Sequence, residues 1–372
     1  MTVKEASPFN KIRGVRLAAV ASGLKKDSLD LALIELDENC VCSAVFTQSS
    51  FAAAPVLISR EHLKDESSRY ILVNSGNANA ATGNEGFENA IRCCESVAEM
   101  AGLKKEAVLP FSTGVIGEPL NYQKIQSAIP SLFEKLAADG WVDVARAIVT
   151  TDTTIKISSH EIEIGDKAVK ITGVAKGSGM IQPNMATMLS FLATDALIDR
   201  KVLDKIISEV CQKTFNRITV DGDTSTNDAC VLISTGLSGV DCNKSPKLDL
   251  VQEGVFQVMR DLAMAIVKDG EGATKFVEVR VKGGKTKLDS RNIAYSIANS
   301  PLVKTALFAS DPNWGRLVMA VGKADASIDA SKIDIHLNNL LLMKTGQIEK
   351  NYTEEKGFVE MKKSSIIITI NL

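Results

Sequence analysis

Histidine is scarce in this sequence. The three present, His62, His160 and His336, lie neither beside a candidate nucleophile nor at HExxH or other metal-ligand spacing, which argues against a Ser-His-Asp hydrolase and a zinc enzyme. The seven cysteines are an odd number and contain no CxxC pair, so they suggest neither a disulfide framework nor a zinc site and read as reduced thiols. No uncharged apolar run approaches the ~18 residues of a membrane span, and Met1–Pro8 lacks the apolar core of a secretory leader, so a cytoplasmic protein is expected. A basic block is missing too. The 43 Lys and Arg are mixed with 45 Asp and Glu for a net charge of -2, which disfavours nucleic acid and favours small uncharged or zwitterionic partners. Neither GxGxxG after a strand nor GxxxxGK[ST] occurs. Lys176-Gly177-Ser178-Gly179 imitates a phosphate loop, but Pro183 interrupts the helix such a loop should open.

The 372 residues are 45% hydrophobic, enough for two compact units. Short apolar runs bounded by turn residues predict strands at 17–20, 29–36, 40–46, 52–58 and 70–73. The last of these runs into the Asn- and Gly-rich loop Asn74–Gly83. Helical spacing marks Phe87–Ala101, with Gly102 as its stop, and further helices are read at 121–139 and 142–149. Strands follow at 155–158, 161–164 and 167–174, then an apolar segment at 188–193, a helix at 200–215 and a strand at 229–234. The acidic stretch Thr219–Asp228 invites calcium, but Ser225 and Thr226 stand where an EF-hand loop needs an acid or Asn and a Gly, so that metal site is rejected. A second unit is placed after the polar stretch 241–247, giving domains 1–245 and 246–372. Its elements are a helix at 249–268, a strand at 276–281, a helical stretch at 289–308 and strands at 316–321, 333–343 and 365–371.

The centre of the chain is Lys176-Gly177-Ser178-Gly179-Met180-Ile181-Gln182-Pro183-Asn184-Met185-Ala186-Thr187. A Gly- and Pro-containing turn leads into an Ala-Thr bond, and apolar residues that favour burial follow at once. A threonine hydroxyl on a strained turn can attack the preceding carbonyl in an N-to-O acyl shift. Hydrolysis of the ester then frees Thr187 as a new N-terminus whose own amine is the nearest base for its hydroxyl. Upstream, Ser112-Thr113-Gly114 can aim donors at one point, the arrangement of an oxyanion hole.

Taken together, Lys176–Asp195, Asn74–Gly83, Thr113-Gly114, Thr219–Asp228, Asp269–Lys275, Ser300–Thr305 and Asp311–Arg316 resemble the ornithine acetyltransferase family, the glutamate N-acetyltransferases of the ArgJ type. These motifs span nearly the whole chain. The resemblance implies an αββα sandwich with a smaller C-terminal α/β domain, and cleavage between Ala186 and Thr187 into an α chain, 1–186, and a β chain from 187. By the same resemblance, Thr187 is the acetyl-accepting nucleophile, Thr113 and Gly114 hold the oxyanion, and Thr153, Lys176, Thr187 and Glu271 contact substrate. Lys176 suits a substrate carboxylate and Glu271 an amino group. The implied substrates are N-acetylornithine and glutamate, with no metal or bound cofactor, acetyl-CoA as a candidate second donor, and an α2β2 assembly. Members of the family usually add an Asn and a Thr or Ser from a segment beyond the strand matching Ile366–Leu372, whereas this sequence stops at Asn371-Leu372. A self-processing aminopeptidase or amidase, and a non-catalytic binding protein with an intact Ala186-Thr187 bond, are the competing expectations.

Overall fold

A computed structural model describes residues 9–65, 68–182 and 188–372. They form two compact units, one of residues up to Ile218 with Asp223–Glu271, the other of Thr219–Gly222 with Gly272–Leu372.

In the first unit two sheets lie face to face. One has the order β1-β2-β4-β5, with β1 Val15–Val20, β2 Leu31–Leu36, β4 Tyr70–Asn77 and β5 Val108–Val115; only β4 and β5 run parallel. The other has the order β3-β9-β8-β7-β6, with β3 Val41–Phe46, β6 Lys156–Ile164, β7 Lys167–Lys176, β8 Leu189–Thr194 and β9 Ala229–Ser234. Here β8 and β9 are the parallel pair.

The side-chain period of two explains why several of these strands read as unbroken apolar runs. In β2, Ala32, Ile34 and Leu36 face the second sheet while Leu31 and Leu33 face outward, and in β4 Ile71 and Val73 alternate likewise with Tyr70 and Leu72. Both faces are covered. Between the sheets Phe111 meets Phe191 edge to face, ring centroids 5.1 Å apart. Outside the first sheet, α2 Gly83–Ala101 and α3 Tyr122–Glu134 bury Ala90, Cys94, Val97, Ile125, Ile129 and Leu132. Outside the second, α5 Arg200–Lys213 packs on β3, and α6 Lys247–Lys268 packs on β6 and β7. The layers are therefore α, β, β, α, as expected. A further helix, α4 Trp141–Ile148, contributes Trp141, Val144 and Ile148 to the core between the sheets.

The strand expected at 52–58 is instead the helix α1 Ala54–His62. A short apolar run carries no period of its own, and Pro55 in the first helical turn, after an extended Ala53, starts a helix that buries Val56, Ser59 and His62 on one face. The two strands read at 155–158 and 161–164 are one, β6. The expected domain boundary at 245/246 falls before α6, whose apolar face, Val251, Val255, Val258 and Leu262, is buried with the first unit; the chain passes to the second unit after Glu271.

The second unit holds a five-stranded sheet in the order β10-β14-β11-β12-β13, from β10 Phe276–Lys282, β11 Asp334–Leu337, β12 Leu340–Lys344, β13 Gln347–Ile348 and β14 Ser365–Asn371. The stretch read as one helix at 289–308 is two, α7 Lys287–Ala298 and α8 Pro301–Ala309, because Ser300 caps a new start with Pro301 behind it. Residues 316–321, expected as a strand, belong to α9 Trp314–Gly322, capped by Asn313 and burying Leu317, Ala320 and Val321 at helical spacing. The helix α10 Glu354–Met361, capped by Thr353, was not foreseen.

Candidate active site

A cavity of about 490 Å³ opens in the first unit at the ends of β5 and β7 and the starts of β8 and β9. Its volume suits an amino acid or a short acyl derivative. Thr113 and Gly114 from β5, Lys176 from β7, Leu189 from β8 and Glu271 beyond α6 all reach it, with Thr150, Thr151 and Ser225–Asp228. None of the three histidines lines it.

Thr113 is 8% exposed, and its Oγ1 accepts a hydrogen bond from Lys176 Nζ at 3.0 Å. A hydroxyl whose oxygen is occupied by an ammonium keeps its own proton for another acceptor, which is the disposition an oxyanion donor requires. Gly114 follows with φ +136°, and a Cβ there would come 2.3 Å from the carbonyl carbon of Gly76 on the paired strand. Only glycine permits that approach. The ladder between β4 and β5 shifts register at Gly76/Asn77, beside this pair.

Lys176 Nζ also donates to Thr150 Oγ1 at 3.2 Å. Desolvation lowers the Lys176 pKa, opposed by the negative charges of Asp152 and Asp228. On the same cavity Glu271 lies against the Gly-rich loop: a Cβ on Gly179 would stand 2.6 Å from Glu271 Oε1, and the Glu271 N–H donates to Ser178 O at 2.9 Å. The second glycine of the loop therefore makes room for the carboxylate. An amino group and a carboxyl group thus line one cavity, as a zwitterionic ligand requires.

Beneath the wall Lys156, its side chain fully buried, donates to Asp152 Oδ1 at 2.5 Å and to Asp269 Oδ2 at 2.7 Å. Asp152 in turn accepts from the Gly177 N–H at 2.7 Å and the Thr150 N–H at 3.1 Å. Burial alone would raise the Asp152 pKa, but Lys176 and Lys156 outweigh it and hold the carboxylate below its ordinary range. Asp269 is likewise pulled down, by Lys156 and Thr153 against the effect of burial.

Of the residues singled out from the sequence, Thr113, Gly114, Lys176 and Glu271 come together on this wall. Thr153 is not among the lining residues, and its N–H and hydroxyl both bond Asp269. Thr150 and Thr151 line the cavity in its place, and the hydroxyl-rich run Thr150–Thr154 was the signal from which they could have been drawn. Ala186 and Thr187 lie outside the described residues. Lys25 was not singled out from the sequence, and Asp228 only as the end of the acidic stretch Thr219–Asp228; packing brings both to the cavity. Met188, the residue after the expected nucleophile, is 3% exposed and on the cavity wall. All seven cysteines are buried free thiols, and burial raises Cys40 to about 11 and Cys42 to about 12.

Comparison with known proteins gives the same family as the motifs. The model of the ArgJ family matches residues 16–372. The chain is 47% identical over 365 residues to the arginine biosynthesis bifunctional protein ArgJ of Methylococcus capsulatus, covering 97% of this chain and 89% of that protein. To the protein of the same name from Neisseria meningitidis it is 46% identical over 379 residues, covering 100% and 92%. Among solved structures, the Bacillus halodurans arginine biosynthesis bifunctional protein ArgJ is 35% identical with a TM-score of 0.45, over 47% of this chain and 92% of that one. A crystal structure of Mycobacterium tuberculosis ornithine acetyltransferase complexed with ornithine is 31% identical with a TM-score of 0.43, over 47% and 94%. With nearly half its residues shared along almost the full length of such relatives, and the Thr113-Gly114, Lys176 and Glu271 motifs gathered on one cavity, the chain belongs to the ArgJ family.

Proposed function

We propose that this enzyme cleaves itself between Ala186 and Thr187 and then carries an acetyl group on Thr187 from N-acetylornithine to glutamate, releasing ornithine and N-acetylglutamate. The observation that carries the reading is the Lys176 to Thr113 hydrogen bond of 3.0 Å on the cavity that Glu271 also lines.

The freed α-amine of Thr187 takes the hydroxyl proton as Oγ attacks the acetyl carbon. Charge then develops on the acetyl oxygen, where the Thr113 hydroxyl and the backbone at Gly114 supply donors. Collapse of this intermediate breaks the C–N bond, and ornithine departs with a proton on its nitrogen. Glutamate enters the emptied cavity, its amine attacks the threonine ester, and Thr187 is regenerated. Lys176 receives a substrate carboxylate and Glu271 an ammonium group, with Thr153 kept as a substrate contact and Thr150 supporting Lys176 from beside it. Acetyl-CoA is the second donor in this reading, in keeping with the word bifunctional in the relatives' name, and an α2β2 assembly of processed chains belongs to it. Among the described residues no helix is long and apolar enough to cross a membrane.

Intact mass spectrometry and an acetyl-transfer assay test this together. Two chains, 1–186 and 187–372, with acetyl label on the second after exposure to N-acetylornithine, are expected. An uncut chain would sink the mechanism, and release of free acetate outrunning transfer to glutamate would move the assignment to the amidase alternative.

A further inference from the structure

Asp228 is a carboxyl group that the mechanism above leaves without work. It is 3% exposed yet lines the cavity, and its Oδ2 has no hydrogen-bond partner among the described residues. A buried polar atom left unpaired at a cavity wall is a cost that a ligand or a reacting group can recover.

Its position is fixed from three sides. The Asp228 carbonyl accepts from the Thr47 N–H at 2.9 Å, and the next residue, Ala229, donates to Met188 O at 2.9 Å. The preceding Asn227 Nδ2 donates to Ala78 O at 2.6 Å and to Ser112 O at 2.9 Å. Asp228 is thereby held between Ser112, which precedes the oxyanion pair, and Met188, which follows Thr187. The other titratable groups lining the cavity are Lys176 from β7, Lys25 and Glu271; Asp152 lies behind the wall, bonded to the Gly177 N–H.

We propose that Asp228 is a proton-carrying residue of this site, protonating the nitrogen that leaves the acyl group and deprotonating the amine that attacks in the second half. This rests on the acetyl-transfer reading. Desolvation raises the Asp228 pKa well above the ordinary carboxylate value, against opposing hydrogen bonds from Ser225 and the charge of Lys176, the direction a proton donor needs. In the first half the Thr187 hydroxyl proton goes to its α-amine while Oγ bonds the acetyl carbon. The C–N bond then breaks with its electron pair on nitrogen, and that nitrogen takes the Asp228 proton. The α-ammonium and the Asp228 carboxylate left behind return to amine and acid by transfer of one proton between them. The second half is the same sequence reversed, with glutamate's amine in place of ornithine's.

Single-turnover acetylation of the full, processed protein, followed by intact mass, tests the assignment with two donors. N-acetylornithine needs a proton on its leaving nitrogen, whereas p-nitrophenyl acetate expels a phenolate that needs none. Asp228→Asn is expected to slow acetylation by the amide about 10²-fold or more and to leave the ester rate unchanged. Equal losses with both donors would reduce Asp228 to a structural part, and no loss with either would remove it from the chemistry. If Asp228→Asn fails to process, the wild-type pH profile decides. Amide acetylation should fall as pH rises through the Asp228 pKa while ester acetylation shows no such descending limb, and identical profiles would overturn the proposal. A wild-type protein acetylated by neither donor would instead refute the acetyl-transfer reading itself.

Discussion

At the scale of single residues, the site depends on what each polar atom has left to offer after its local bonds are made. Thr113 illustrates this. Its oxygen accepts from Lys176, so its proton remains for the cavity, whereas Thr153 spends both donor groups on Asp269. Thr113→Ala is expected to lower kcat by about 10²-fold or more with KM changed far less, since the oxyanion exists only in the transition state, and Thr113→Ser is expected to restore most of it. Steady-state kinetics on both variants checks this, and an unchanged kcat in Thr113→Ala would dismiss the hydroxyl from the oxyanion site. The Thr-Gly pair was legible in the sequence only through its match to the family's motif, since alone such a pair is usually bland structure. That Thr150 bonds Lys176 was not, since the four threonines around Asp152 differ only in which way the folded loop turns them.

At the scale of elements, Lys156 at the start of β6 holds the walls in place. It joins Asp152, which fixes the 150–152 corner and Gly177, to Asp269 beyond α6. Removing one partner strands the others as buried charges, so Lys156→Met is expected to cost about 3–5 kcal/mol of unfolding free energy. The acid limb carries a second signature. Both carboxylates have folded pKa values below their unfolded ones, so their stabilisation is complete above the unfolded value of roughly 3.9 and is lost as pH falls through the folded values. The wild-type Tm should drop below about pH 4, and the drop should flatten in Lys156→Met. Calorimetry across that range measures both, and parallel Tm profiles would show that the network contributes no pH-linked stability. Elements with a clear period, such as α2 and α5, were readable in advance. Those set by capping, such as α1, α8 and α9, were mistaken or merged because a few apolar residues fit either period and the deciding Pro, Ser or Asn adds no period of its own.

At the scale of the molecule, the expected cut at Ala186-Thr187 falls between adjacent strands of one sheet. β7 pairs antiparallel with β8 from Lys176↔Leu189 to Ile171↔Thr194, and β9 pairs with β3 from Val41↔Ser234 to Phe46↔Ala229. Strands β3, β6 and β7 come from the stretch before the cut, β8 and β9 from the stretch after it, and the sheet order interleaves them. Processed protein should therefore elute as one species in native size-exclusion chromatography and separate into 1–186 and 187–372 only in denaturant; separate native peaks would contradict the shared sheet. The sequence by itself determined the family, through motifs written in consecutive residues, and through that resemblance the layered class. Only the tertiary structure decided that Lys176 meets Thr113, that Glu271 rests on Gly179, and that Asp228 is buried on the cavity rather than exposed in an acidic loop. Burial and its effect on charge are properties of packed neighbours far apart in the chain, and no window of sequence contains them.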